Sequence, residues 1–158
     1  MNSKNNLKNL SAIGFSDIIG TGITAIFWFY LASLTDPEKY GEMFFYIGIA
    51  TIAASIVLFA SQNTITVYTA KKIKIQSTLY FISLLAAFFG SIIIIFLYYR
   101  LDVGFVVIGY VINSLAIWEI LGKKYFTTYS KYVLIQKSSF VLIGIGFFYL
   151  FNIEGILY

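Results

Sequence analysis

The sequence predicts an all-α polytopic membrane protein, with five transmembrane helices and the start of a sixth. Three observations predict it. Of 158 residues, 59% are hydrophobic and only 11% charged, against about 25% charge in an ordinary soluble domain. The mean hydropathy is +0.85. Apolar runs of roughly twenty residues, enough to cross about 30 Å of hydrocarbon at 1.5 Å rise per residue, recur five times between short polar stretches. There is no Cys and no His, which removes disulfides, the usual zinc sites and the commonest general acid–base side chain. No cofactor and no metal site is expected. The net charge of +4 sits in the loops of a lipid-embedded chain, so no nucleic-acid partner is expected; membrane lipids are.

The first span covers residues 11–34. Lys4 and Lys8 precede it as they would precede a signal peptide. The run is longer than an h-region of roughly 7–15 residues, and no small-x-small cleavage site comes before Asp36, so it is read as a retained span. It ends in the aromatic cluster Phe27-Trp28-Phe29-Tyr30, at the height where aromatic rings favour the headgroup interface. A tight polar turn follows. Asp36 can cap the next helix, Pro37 suits its first position, and Glu38 complements the helix dipole. The second span is expected at 43–69 without a charge, the third at 78–99, the fourth at 103–121 and the fifth at 132–151. Residues 152–155 read as another turn, and Ile156 would open a sixth span. The whole chain is read as a single membrane domain, 1–158.

Lysine and arginine set the orientation. Lys4, Lys8, Lys71, Lys72, Lys74, Lys123, Lys124, Lys131 and Lys137 fall on one side of an alternating five-span chain, and Lys39 and Arg100 on the other. The positive-inside rule then predicts a cytoplasmic N-terminus and a multi-pass protein of the cell (plasma) membrane. The stretch from Gly122 to Lys131 reads as a basic inner loop lying at the anionic headgroup surface.

Polar residues recur on helix faces within the spans. Gly14, Asp17, Thr21, Thr24 and Trp28 share one face of the first. Gly48, Thr51, Ser55, Gln62, Thr66 and Thr69 do so in the second, Ser83, Ala87 and Gly90 in the third, and Gly109, Asn113 and Ala116 in the fourth. Such faces either pack helices closely or line a wet pathway. At 1.5 Å per residue, Asp17 lies about 9 Å into its span, Lys137 about 7–8 Å into its own and Glu119 about 3 Å from the inner end of the fourth. Gln62 and Asn63 fall at a similar depth, so a polar layer opening inward is expected. Lys137 and Glu119 can snorkel, and Glu119 can pair with Lys123; an Asp17–Lys137 pair is the structural alternative for the first span. The pathway candidates are Asp17, Thr21, Thr24, Gln62, Asn63, Asn113 and Lys137. No nucleophile elbow, phosphate loop or metal-ligand spacing is present, so the chain is not expected to be an enzyme.

The run Phe27-Trp28-Phe29-Tyr30-Leu31-Ala32-Ser33-Leu34, the turn Asp36-Pro37-Glu38-Lys39-Tyr40-Gly41 and the uncharged second span after it resemble the N-terminus of the Wzx-type polysaccharide flippases. These belong to the multidrug/oligosaccharidyl-lipid/polysaccharide exporter superfamily. Leu121-Gly122-Lys123-Lys124-Tyr125 with Lys131 to Lys137 looks like the family's basic inner loop. Phe151-Asn152-Ile153-Glu154-Gly155-Ile156 looks like its connection into the sixth helix. The resemblance implies transport of a lipid-linked oligosaccharide or polysaccharide precursor from the cytoplasmic to the outer leaflet by two lobes rocking around a central cavity. This chain then corresponds to an incomplete N-terminal lobe, whose partner is a missing C-terminal lobe or a second subunit. Family cavities often carry basic residues for substrate phosphates, whereas the first span here offers Asp17. The alternatives are a drug or cation antiporter of the same superfamily using Asp17, a non-transporting membrane subunit, and a membrane-embedded enzyme using Asp17 and Glu119.

Overall fold

A computed structural model describes the backbone of residues 3–59 and 61–151, and the side chains of 11–59 and 61–150. Among these residues there are six helices and no strand: α1 Ser3–Leu34, α2 Pro37–Val57, α3 Ser61–Ala70, α4 Gln76–Tyr98, α5 Leu101–Gly122 and α6 Phe126–Phe151. Five of them, all but α3, contain a stretch long and apolar enough to cross a membrane. Large apolar side chains such as Ile26, Phe29, Ile56, Phe96 and Leu142 are exposed along these stretches, which is the arrangement a lipid solvent demands. The protein is an all-α multi-pass membrane protein. The expected turn at 152–155, the opening of a sixth span and the side chains of Lys4 and Lys8 lie outside the described residues.

The turn between α1 and α2 follows its sequence. Pro37 opens α2, where its missing N–H is no loss. The carbonyl of Asp36 accepts the Tyr40 N–H at 3.0 Å, and the Tyr40 hydroxyl donates back to the Trp28 carbonyl at 3.1 Å. Tyr40 thereby ties the start of α2 to the end of α1. Gly41 has open space around it, and nothing in the structure explains a glycine there.

The helices gather into two compact units, one of α1, the first turn of α2 and α6, the other of the rest of α2 with α3, α4 and α5. In the first, α1 and α6 run parallel. Ala12 meets Ser130, Gly20 meets Lys137, Phe27 meets Phe140 and Tyr30 meets Tyr149, in ascending order on both. An alternating five-span chain requires its first and fifth spans to run the same way. The seam of α1 is Ser16, Gly20, Phe27 and Leu31, all buried. Phe27 packs edge-on to Phe140 at 5.6 Å and lies where only a glycine fits, since a Cβ on Gly144 would come within 2.7 Å of its ring.

In the second unit the core is Ala50, Ala54, Leu58, Ile65, Ala87, Val103, Val107, Val111 and Leu115. Lipid is as apolar as these side chains, so close packing rather than a hydrophobic driving force holds membrane helices together. Small residues at the contact allow it: a Cβ on Gly104 would lie 2.7 Å from Ile95, and the Ser91 hydroxyl donates to the Gly104 carbonyl at 2.9 Å. α4 runs antiparallel to α5. α3 runs parallel to α5, with Thr66 beside Trp118 and Thr69 beside Gly122.

The second crossing differs from the expected single helix at 43–69. One end is marked by Tyr46, which meets Tyr98 and the Arg100 guanidinium, and the other by Thr69, which meets Gln76 and Gly122. Between these ends the backbone leaves the α-helix after Val57, with Leu58 and Phe59 in a turn, and among the described residues it is helical again from Ser61. Phe59 N–H donates to the Ile56 carbonyl and Ser61 N–H to Leu58, the tighter i→i+3 pattern of a helix end. Ser61 is level with Ser83, at 3.2 Å, seven residues or about 10 Å into α4. The break therefore lies at membrane depth, where irregular backbone is tolerated only against protein or a wet cavity. The loop before α6 also differs: only residues 123–125 are non-helical, and α6 starts at Phe126 rather than at residue 132.

Candidate functional site

The candidate residues fall into both units and are described within each. On α1 the polar face is not the packing seam. Gly14, Asp17, Thr21, Thr24 and Trp28 are centred about a quarter turn from Ser16, Gly20, Phe27 and Leu31. Asp17 and Thr24, nearest the seam, are half-buried, while Gly14 and Thr21 are exposed. Asp17 accepts a hydrogen bond from the Tyr129 hydroxyl at 2.9 Å, and no ion pair with it forms among the described residues, so the alternative Asp17–Lys137 pair is not made. Lys137 is half-buried and packs its stem on α1; its Cγ would lie 3.2 Å from a Cβ on Gly20. Thr24 donates to the Gly20 carbonyl at 2.8 Å, which satisfies its hydroxyl within its own helix. Trp28 joins an aromatic cluster, 5.0 Å from Phe27 and 5.9 Å from Phe140.

The other unit repeats the pattern. On α2, Thr51 and Ser55 are exposed and bond the carbonyls of Ile47 and Thr51, while Ala50 and Ala54 make the core. On α5, Gly109 is exposed and Asn113 and Ala116 are half-buried, on a face roughly 150° round the helix from the Gly104–Val107–Val111–Leu115 seam. Gln62, half-buried, and Asn63, exposed, occupy the first turn of α3 directly after the break. The small face of α4 does pack: Ser83 and Ala87 are fully buried, and a Cβ on Gly90 would lie 3.3 Å from Val57. So the structure brings Asp17, Thr21, Thr24 and Lys137 to one unit and Gln62, Asn63 and Asn113 to the other. On α1, α2 and α5 the centre of each polar stripe lies off the buried seam, although Asp17 and Trp28 reach α6 at the stripe's edge.

Two charged clusters complete the second unit. Glu119 accepts the Tyr80 hydroxyl at 2.6 Å and pairs with Lys123, one turn on, at 2.6 Å. At the opposite end, Arg100 grips Asp102 with two parallel bonds, Nε to Oδ1 at 2.9 Å and Nη2 to Oδ2 at 2.8 Å. Its guanidinium also lies 4.7 Å from the centre of the Tyr46 ring and 3.9 Å from Glu42. The pairing of Glu119 with Lys123 is visible in the sequence as an i,i+4 spacing. The roles of Tyr80, Tyr129 and Tyr46 are not, because each meets its partner from another helix; Tyr129 also falls in residues that read as loop.

No protein-family profile, curated protein or solved structure matches this chain.

Proposed function

We propose that this chain is membrane transport machinery: part of a flippase that moves lipid-linked oligosaccharide or polysaccharide precursors across the cell membrane, and not an enzyme. The observation that supports this reading is the position of the polar stripes. Polar groups in lipid are costly and face a partner helix or a wet cavity. Gly14 and Thr21 of α1, Thr51 and Ser55 of α2 and Gly109 of α5 are exposed and lie off the buried seams, so this part of each stripe is available to line a path for a hydrophilic group. The broken second crossing supports the same reading. Discontinuous helices at membrane depth are a transporter device, with helix ends turned to substrate or ion, and Gln62 and Asn63 sit at such an end. In this reading the N-terminus is cytoplasmic, the glycan passes along the polar faces while the lipid tail stays in the bilayer, and a missing C-terminal lobe or partner subunit closes the path.

Asp17 gives the test. Asn in its place still accepts the Tyr129 hydrogen bond but loses the charge, and Tyr129→Phe does the reverse. In cells that depend on this gene for surface glycan export, Asp17→Asn should lower export about tenfold, equal to about 1.4 kcal/mol of barrier, with the protein present at normal level in the membrane. Lys137→Ala should do the same. Normal export by both variants, with Tyr129→Phe alone reducing protein level, would assign Asp17 to structure and contradict the proposal. A second reading is favoured by Tyr129 being a neutral partner: the carboxylate's charge is not offset by an ion pair among the described residues, as a cation-coupled antiporter would need. Proton- or sodium-dependent dye efflux lost in Asp17→Asn, with no effect on glycan, would select it.

A further inference from the structure

Helices α3 and α5 end alike. Ala70 is followed by Lys71-Lys72, and Gly122 by Lys123-Lys124. In each pair the second lysine has left-handed backbone, φ 59° at both Lys72 and Lys124. Lys72 N–H donates to the Thr69 carbonyl and Ile73 N–H to Tyr68, both at 3.0 Å; Lys124 N–H donates to Leu121 at 2.9 Å. This is how a helix end satisfies its last carbonyls, and the left-handed position normally takes glycine because a Cβ is strained there. Here two lysines hold it.

The two turns are neighbours. α3 and α5 are parallel, and a Cβ on Gly122 would lie 2.7 Å from Thr69 Cβ. Lys74 follows in the first turn, and all five lysines are exposed. Of the unit's carboxylates, Glu119 belongs to this end and is bonded to Lys123 and Tyr80. Glu42 and Asp102 lie with Arg100 at the other end. Five ammonium groups therefore stand against one carboxylate. Tyr68 and Ile73, also exposed, flank the first turn with side chains suited to the headgroup region. The carbonyls of Tyr68, Thr69 and Leu121, which would repel an anion, are occupied by the bonds above.

We propose that the twin Lys-Lys turns form one docking surface for the phosphate headgroups of anionic phospholipid in the adjoining leaflet. The ends of membrane-crossing helices place these ammonium groups at headgroup height, and the charge excess is complementary to a phosphodiester.

The decisive variant is Lys72→Gly/Lys124→Gly. It removes two charges yet relieves two strained positions, so its unfolding midpoint should be unchanged or raised. The purified full chain in a neutral detergent would be titrated with phosphatidylglycerol and with phosphatidylcholine, and bound lipid counted by native mass spectrometry. Wild type should prefer phosphatidylglycerol, with the preference falling as salt rises. The glycine pair should lose about fivefold in phosphatidylglycerol affinity for each lysine removed, with phosphatidylcholine unaffected, and Lys72→Arg/Lys124→Arg should retain wild-type affinity. Equal binding of the two lipids by wild type, or undiminished phosphatidylglycerol binding by the glycine pair, would overturn the proposal. So would displacement of the lipid by inorganic phosphate at the same concentration, which would reassign the surface to a soluble anion.

Discussion

Gly122→Val is expected to separate α3 from α5 and to lower stability by about 3 kcal/mol, the upper part of the range for overpacking a tight contact. Any Cβ at this position would lie 2.7 Å from Thr69 Cβ and 2.9 Å from the Thr66 carbonyl oxygen. The second of these is backbone, so no rotamer change relieves it. Thr66 is also held from both sides, its single hydroxyl hydrogen shared between the carbonyls of Gln62 at 3.1 Å and Trp118 at 3.3 Å. The helix has to move, and with it the part of the second crossing that reaches the level of Gln76. Gly109→Val is the matching control, because open space surrounds Gly109 on the same helix. Thermal unfolding of both variants in one detergent should show a large loss for Gly122→Val and little for Gly109→Val. Equal midpoints would mean that α3 is not packed on α5 as described.

Asp102→Ala should cost about 2 kcal/mol. The Asp102 side chain is 5% exposed and that of Arg100 22%, so the substitution removes two short charge-assisted bonds and leaves a half-buried guanidinium with the weaker contact to Glu42 at 3.9 Å and the Tyr46 ring. Asp102 also lies in the first turn of α5, where a negative charge is favoured by the helix dipole. Asp102→Asn, which keeps an acceptor, should lose less. Arg100→Leu/Asp102→Leu should recover much of the loss, because the penalty comes from the orphaned charge rather than from the pair's net worth. A double variant no better than Asp102→Ala would show that the pair itself holds α4, α5 and the Glu42–Tyr46 part of α2 together.

The five crossings were legible because lipid imposes length and apolarity directly on the sequence, and Pro37 marks the start of α2 unambiguously. The break after Val57 was not legible. Residues 57–61 contain neither Pro nor Gly, and what holds the break is tertiary: Leu58 in the core, and Ser61 bonded to Ser83 of α4. The early start of α6 was hidden for a related reason. Thr127, Thr128, Tyr129, Ser130 and Lys131 read as loop, but Tyr129 and Ser130 bond to α1, which draws a polar segment into helix. Helix periodicity put the polar residues of α1, α4 and α5 each on one face, while the stripe of the second span is divided between α2 and α3. It could not tell whether a face packs, because that depends on the neighbour. On α4 the small face is the seam; on α1 and α5 the seam is a different set of residues, led by Phe27 and Leu31 in one and by Val107 and Val111 in the other. The partners of Asp17 and Glu119 needed the fold as well, since Tyr129 and Tyr80 come from distant parts of the chain.

That these stripes border water is the central claim, and the absence of cysteine from the sequence allows a direct measurement without background. Single cysteines at Thr21, Ser55 and Gly109 would be compared with single cysteines at Ile26, Ile56 and Ile112 on the same helices. All six positions are exposed in the structure, so steric access does not separate them. A membrane-impermeant maleimide needs water and thiolate, and it should label the first three at least about tenfold faster than the second three. Labelling of Thr21, Ser55 and Gly109 as slow as that of Ile26, Ile56 and Ile112 would place the polar stripes in lipid or in a dry interface, and would contradict the transport reading.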